Sequence, residues 1–181
     1  TIQQENPDAV LVLSGDHIYK TDYTKIIKFF LEKEAEAVIM AKLVSQSEAT
    51  RFGVIEVDED NKIMKFIEKP KSPPPTPWDP QQSLISMGVY LFRTPVLIKA
   101  LIKDAKDQKS THDFGKDVLP CLIQEHLIYA YSFNDYWEDI GTIEAYWKAN
   151  MTFLSSSPPF LLQESSWPIR TYKPQYPPSY I

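Results

Sequence analysis

Cysteine is almost absent from this chain of 181 residues: Cys121 is the only one. That excludes an internal disulfide and any cysteine-rich zinc site, and a reducing compartment fits best. The three histidines, His17, His112 and His126, lack metal-ligand spacing with one another or with Cys121, so zinc is not expected. No apolar run approaches the roughly 18 to 20 residues that cross a bilayer, and no basic start followed by an apolar middle opens the chain, so no membrane association is expected. A basic face is also missing. With a net charge of -5 and a pI near 5.2, the chain does not fit a general nucleic-acid binder, which must displace phosphate counterions. Internal repeats are not found.

What remains is an ordinary globular composition, 43% hydrophobic and 24% charged, in a length that predicts one domain. Val10-Leu11-Val12-Leu13 is a β-branched apolar run ending in Ser14-Gly15-Asp16, the pattern of a central strand buried on both faces. Asp22 can cap a helix whose apolar face holds Ile26, Ile27, Phe29, Phe30 and Leu31, and Ala37 to Ala41 form a second strand. Strand, helix and strand make a βαβ unit with an expected right-handed crossover. Val54 to Val57 and Ile63 to Ile67 flank the polar turn Asp58-Glu59-Asp60-Asn61, which predicts a hairpin. Residues 71–82 are proline-rich and predict an exposed, extended loop, followed by a strand over 86–92. Helices are expected over 95–103 and 114–124, a strand over 127–133, and a last helix capped by Thr142 and running to about Phe153. Alternating strands and helices predict an α/β fold with a mixed, mainly parallel sheet and flanking helices. Beyond Leu154 serine and proline dominate, as in a linker or a truncated second domain, and Tyr172, Tyr176 and Tyr180 among the prolines are candidates to dock on the domain or a neighbouring subunit. The start at Thr1, so close to a buried-type strand, reads as that of a fragment.

Open parallel sheets bind ligands beyond the carboxyl ends of their strands, which is where Asp16 falls. Its carboxylate can hold a magnesium ion, or it can simply be a turn residue after Gly15. Asp139, in Trp137-Glu138-Asp139-Ile140-Gly141-Thr142, is a second candidate that could share that metal, or a helix cap. Glu68-Lys69, at the end of a hairpin strand, suits a sugar phosphate, with the ammonium on phosphate and the carboxylate on hydroxyls; a surface ion pair is the alternative. Cys121 is expected to pack in a helix face, and Tyr131, Phe133, Tyr136, Trp137, Tyr146 and Trp147 to pack between the last strand and helix rather than stack on a base.

Six segments, in this order, resemble those of glucose-1-phosphate adenylyltransferases: Leu13 to Tyr19 (LSGDHIY), Arg51 to Ile55 (RFGVI), Phe66 to Pro70 (FIEKP), Ser86 to Tyr90 (SMGVY), His112 to Asp117 (HDFGKD) and Tyr136 to Thr142 (YWEDIGT). The likeness runs from about Val10 to Met151, and Pro168-Ile169-Arg170-Thr171 resembles that family's entry into a C-terminal left-handed β-helix. The resemblance implies a Rossmann-like, GT-A-like nucleotidyltransferase domain over 1–154, with a linker and the β-helix entry over 155–181. It implies Asp16 and Asp139 as the carboxylates that hold catalytic Mg2+. Lys69 would then take the phosphate of glucose 1-phosphate and Glu68 its hydroxyls, with Ser86 and the Gly53 backbone completing the pocket and Asp113 and Phe114 shaping its sugar side. The reaction implied is ATP plus glucose 1-phosphate giving ADP-glucose and pyrophosphate, for glycogen or starch synthesis. A homo- or hetero-tetramer, allosterically regulated, in a bacterial cytoplasm or a plastid stroma would be the setting. The glycine-rich, Arg- and Lys-containing loop that cradles the triphosphate in that family would precede position 1, so this stretch is expected to keep a sugar-phosphate half-site without turning over. Two alternatives stand beside this: the same reaction with UTP, dTTP or GTP, and a non-catalytic regulatory subunit of a hetero-oligomer. The Asp-His-Ile-Tyr and His-Asp-Phe-Gly-Lys-Asp segments favour the adenylyl enzyme over the first, and Asp16, Lys69 and Asp139 speak against the second.

Overall fold

The computed structural model describes residues 1–162 and 164–169. Contacts divide the chain into two compact units, Thr1–Gly15 with Thr21–Asp135, and Asp16–Lys20 with the chain from Tyr136 onward.

The first unit is a six-stranded sheet with helices. Its elements in chain order are α1 (Ile2–Glu5), β1 (Ala9–Val12), α2 (Tyr23–Glu32), β3 (Ala37–Ser45), α3 (Gln46–Ala49), β4 (Gly53–Val57), β5 (Ile63–Glu68), β6 (Gln82–Arg93), α4 (Thr94–Lys106), a π-helix (Phe114–Val118), α5 (Leu119–Glu125) and β7 (Ile128–Ser132). β2 (His17–Tyr19) belongs to the second unit. The strand order is β5-β4-β6-β3-β7, with β1 also paired to β6. β3 lies between β6 and β7, and Ala37 to Ala41 are almost wholly buried, as their apolar run requires. Burying Val38, Ile39 and Met40 contributes about 1.5–3 kcal/mol each. Alternation sends Ala37, Ile39 and Ala41 into a core with Val96 and Leu97 of α4 and Leu119 and Leu122 of α5. Asp22 caps α2 by accepting from the Thr24 N–H at 2.9 Å, and Ile26 and Phe30 supply its buried face.

The sheet is mixed, but the expected parallel majority is not what forms: β3 with β7 is the one parallel pair among the described strands, and the rest are antiparallel. The reason is β6. β1, α2 and β3 do make a strand-helix-strand unit, yet β6 lies between the two strands, antiparallel to both. Along one edge β6 pairs with β3 throughout, with a register shift between Ile39 and Ala41. Along the other it pairs first with β4 at Leu84 and Ile85, then with β1 from Tyr90 to Arg93. This change of partner spans Ser86 to Val89, where Gly88 adopts φ 67° and donates its N–H to Ser86 Oγ at 3.2 Å. β1 is half-buried rather than fully enclosed, and Leu13 lies beyond it, 45% exposed.

The hairpin β4–β5 forms as expected. The proline-rich stretch forms no helix or strand before β6 but is not wholly exposed: Thr76 is buried, and Ser83 donates its hydroxyl to the Pro74 carbonyl at 2.7 Å. Residues 114–124, expected as one α-helix, form the π-helix and then α5, with Pro120 in the first turn of α5. Cys121 is exposed on α5 rather than packed.

Just before β3, the Glu36 carboxylate accepts from the Leu127 N–H and pairs with His126 Nδ1, both at 2.9 Å, which fastens the start of β3 to that of β7. The Leu127 bond, opposed by burial and aided by His126, holds the Glu36 carboxyl below its ordinary 4.5. A depressed carboxyl stabilises the fold above its unfolded value and loses that contribution as pH falls through the folded one. Denaturant midpoints of Glu36→Gln should therefore fall less steeply than those of the parent below pH 4.5. Equal slopes would show that this link carries no pH-dependent stability.

The second unit holds β2, paired antiparallel with β8 (Trp137–Asp139), and α6 (Ile143–Phe153), capped by Thr142, which accepts from the Ala145 N–H at 3.1 Å. Lys20 pairs with Glu164 at 2.5 Å and lies 4.6 Å from the Trp167 ring centre. Tyr136, Phe153 and Phe160 pack edge to face. Phe133, in the first unit, and Trp137 are buried as expected, but Tyr146 and Trp147 are 57% and 63% exposed, a departure from the expected packing. Among the described residues no helix or strand follows Phe153. Arg170-Thr171, with which the expected β-helix entry continues, and Tyr172, Tyr176 and Tyr180 lie outside the described residues.

Candidate active site

In the first unit the hairpin, the bulged part of β6 and the π-helix bring together Gly53, Glu68, Lys69, Ser86, Asp113 and Phe114. Glu68 is the last residue of β5 and faces Gly53 across the ladder. A Cβ on Gly53 would meet Phe66 Cζ at 2.2 Å and Glu68 Oε2 at 3.1 Å; one on Gly115 would meet the same Oε2 at 2.6 Å. Two glycines on separate elements thus leave the slot that the Glu68 carboxylate occupies. Lys69 follows in a left-handed conformation, φ 45°, held by its N–H to the Phe52 carbonyl at 3.1 Å. A side chain at such φ costs about 1–3 kcal/mol, a strain that clusters at binding sites. Its Nζ stands 3.5 Å from Glu68 Oε1, and the lysine side chain is 65% exposed against 20% for Glu68. Such an exposed pair contributes little to stability, so the lysine is free to serve another anion.

The opposite wall is aromatic. Tyr90 stacks on Phe114 with ring centres 5.4 Å apart, and its phenol oxygen lies 3.3 Å from Ser86 Oγ. Burial pushes the Tyr90 phenol above its ordinary value; the Ser86 bond opposes this, and the charges of Glu68 and Asp113 reinforce it. The phenol therefore stays protonated at neutral pH, able to donate. Asp113 caps the π-helix by accepting from the Lys116 N–H at 2.9 Å, so part of its carboxylate is already engaged. His112, just before it, is also left-handed, at φ 59°, with Nδ1 2.8 Å from Asp104.

The second unit gathers the two acidic candidates. β2 and β8 set His17 opposite Asp139, and Asp16 accepts the Ile140 N–H on its backbone oxygen at 3.0 Å. Asp139 Oδ1 and Asp16 Oδ2 lie 3.0 and 3.6 Å from one point, the place of a Cβ on Gly141, and Asp139 Oδ1 accepts the Gly141 N–H at 2.8 Å. Thr142, not Asp139, caps α6. Trp137 donates its indole N–H to His17 Nδ1 at 3.3 Å, leaving Nε2 toward Asp16 Oδ1 at 3.6 Å. Two carboxylates that reach one point, with no sulfur beside them, suit a hard cation that takes its other ligands from water and phosphate. Among the described residues no group of three or more His, Cys, Asp or Glu is placed to hold a metal by itself.

The model of the nucleotidyl transferase family matches residues 1–156. The chain belongs to this family. Among relatives of this nucleotidyl transferase, glucose-1-phosphate adenylyltransferase 2 of Vibrio vulnificus (strain CMCP6) is 43% identical over 98% of the chain and 46% of its own length. Glucose-1-phosphate adenylyltransferase 2 of Vibrio cholerae is 46% identical over 94% of the chain and 44% of its own. The glucose-1-phosphate adenylyltransferase of Methylococcus capsulatus is 40% identical over 98% and 44%. The chain thus spans about half the length of the curated relatives it matches. Among the described residues of this nucleotidyl transferase, no helix is long and apolar enough to cross a membrane.

Sequence reasoning left Phe66, Tyr90 and Gly115 without a role. All three stand inside the segments that carried the family resemblance, but nothing in a linear string shows that Gly115 and Gly53 face the same carboxylate.

Proposed function

We propose that the protein is a glucose-1-phosphate adenylyltransferase, joining ATP and glucose 1-phosphate into ADP-glucose with release of pyrophosphate. The observation that carries this reading is the glycine-walled Glu68 slot beside Lys69, in a chain 40–46% identical to adenylyltransferases of that name. In this reading the first unit binds the sugar phosphate. Lys69 neutralises its phosphate, Glu68 accepts from sugar hydroxyls, and the Ser86 and Tyr90 hydroxyls and the Phe114 ring line the sugar, with Asp113 holding the π-helix in place. The second unit supplies Asp16 and Asp139 as the holders of Mg2+, which, when bound, offsets negative charge growing on the departing pyrophosphate.

A sugar-phosphate oxygen attacks the α-phosphorus of ATP, that bond forms as the bond to pyrophosphate breaks, and no covalent enzyme intermediate is needed. The nucleophile is already an anion, so the side chains act by orientation and charge neutralisation. The bacterial relatives support a cytoplasmic enzyme, and we propose that it works as a homo- or hetero-tetramer.

The test is pyrophosphate release by the full-length protein with Mg2+ and glucose 1-phosphate, offering ATP, UTP, dTTP and GTP in turn. ATP should be preferred. Lys69→Ala should raise the KM for glucose 1-phosphate by about 10- to 100-fold, the loss of one charge-assisted bond, with kcat and the KM for ATP changed far less. Preference for another nucleotide would keep the reaction and overturn the adenylyl assignment.

A further inference from the structure

Apart from the Glu68 slot, the first unit has a cleft of about 220 Å³ between α4, the loop after it, the π-helix and α5. Its apolar lining includes Ala100, Val118, Pro120 and Leu122. A cavity of about 150 Å³ holds benzene, so there is room for a six-membered ring and a polar head.

The charges around it are unevenly committed. Asp104 accepts from Ser110 and pairs with His112, Asp107 accepts from the Lys109 N–H, and Asp117 accepts from Thr111 and the Asp113 N–H. Glu125 pairs with Lys103 at 2.5 Å. The carboxyls of Asp104, Asp117 and Glu125 lie below their ordinary values, chiefly through Ser110, Thr111 and Lys103. Each carboxylate of the lining thus serves a donor of the protein itself. The ammonium groups of Lys99, Lys109 and Lys116 instead have no ion pair or hydrogen bond among the described residues. An acidic protein therefore keeps Lys109 and Lys116 unengaged around one apolar recess, beside Lys99, whose charge also acts on Glu125.

We propose that this cleft binds a small organic anion, a flat apolar body seated on Ala100, Val118 and Leu122 with a phosphate or carboxylate held by Lys109, Lys116 and Lys99. An ammonium on a flexible stem binds such a head as a point charge, and the apolar body adds affinity that a bare ion lacks.

Cys121 lies in the lining and is exposed, so its alkylation by iodoacetamide, followed on the Cys121 peptide by mass spectrometry of the full-length protein, reports occupancy of this cleft. Phenyl phosphate should slow alkylation saturably and bind about tenfold more tightly than inorganic phosphate or phenol. Phenyl phosphonate and benzoate arms distinguish a phosphate from a carboxylate head. Lys109→Ala with Lys116→Ala should weaken protection about tenfold or more, Lys109→Arg with Lys116→Arg should retain it, and Lys69→Ala, outside the cleft, should leave it unchanged. All three lysines are exposed, and unchanged thermal midpoints would confirm that the variants fold. No protection by phenyl phosphate, equal protection by phenol, or full protection in the double alanine variant would each overturn the proposal. None of these readouts depends on turnover, so they are separate from the test of the adenylyltransferase reading.

Discussion

Asp16→Asn and Asp139→Asn should each lower kcat of the full-length enzyme by about 10³-fold, with the KM for glucose 1-phosphate little changed. A bound metal supplies several kcal/mol of stabilisation to charge developing on the leaving group, and its removal forfeits most of that. Asparagine isolates the charge. At position 139 an amide oxygen can still accept the Gly141 N–H now taken by Oδ1, and at position 16 the bond to Ile140 uses the backbone oxygen, which the change leaves alone. Thermal midpoints should therefore stay close to that of the parent while Mg2+ dependence shifts to higher concentration. Pyrophosphate release across a Mg2+ titration measures this. If either variant keeps more than about a tenth of parental kcat at saturating Mg2+, its carboxylate is not a holder of the catalytic metal.

Gly53→Ala should damage stability and sugar-phosphate affinity together. The added methyl would stand 2.2 Å from Phe66 Cζ and 2.8 Å from Cε1, and Phe66 is buried, so the ring cannot swing into solvent. Overpacking of this kind costs about 1–3 kcal/mol. Relief requires β4 and β5 to part where Gly53 faces Glu68, and that moves the carboxylate. The expected result is a lower denaturation midpoint with a rise of about tenfold in the KM for glucose 1-phosphate and none for ATP. Phe66→Leu in the same chain should restore much of the stability, because it removes the atom that clashes. Gly115→Ala makes a useful contrast: its nearest clash, 2.6 Å, is with Glu68 Oε2 itself, so affinity should suffer more than stability. A Gly53→Ala enzyme that is destabilised but binds sugar phosphate normally would separate the slot from substrate binding.

The local elements were legible in the sequence because each has a local cause. Ala37 to Ala41 is an unbroken apolar run and is buried in the middle of the sheet; Asp22 and Thr142 cap the helices that follow them; the hairpin turns at Asp58 to Asn61. Strand direction was not legible. The order of strands and helices along a chain says nothing about which later strand enters a gap left earlier, and β6 enters between β1 and β3, making most pairs antiparallel. The exposure of Trp147 and Cys121 was equally hidden, since an apolar or aromatic residue carries no mark of whether a partner surface reaches it.

The same division runs through the candidate site. The sequence by itself determined the chemical inventory: Asp16 and Asp139, the Glu68-Lys69 pair, the glycines, and the six ordered segments that resemble those of glucose-1-phosphate adenylyltransferases. Only the tertiary structure decided that Gly53 and Gly115 flank one carboxylate, that Tyr90 joins Ser86 and Phe114 in one wall, and that Asp16 and Asp139 turn their oxygens toward one point. Residue identity fixes which atoms are available. The distances between atoms far apart in sequence arise from strand register and helix packing, which depend on the burial of the whole core at once.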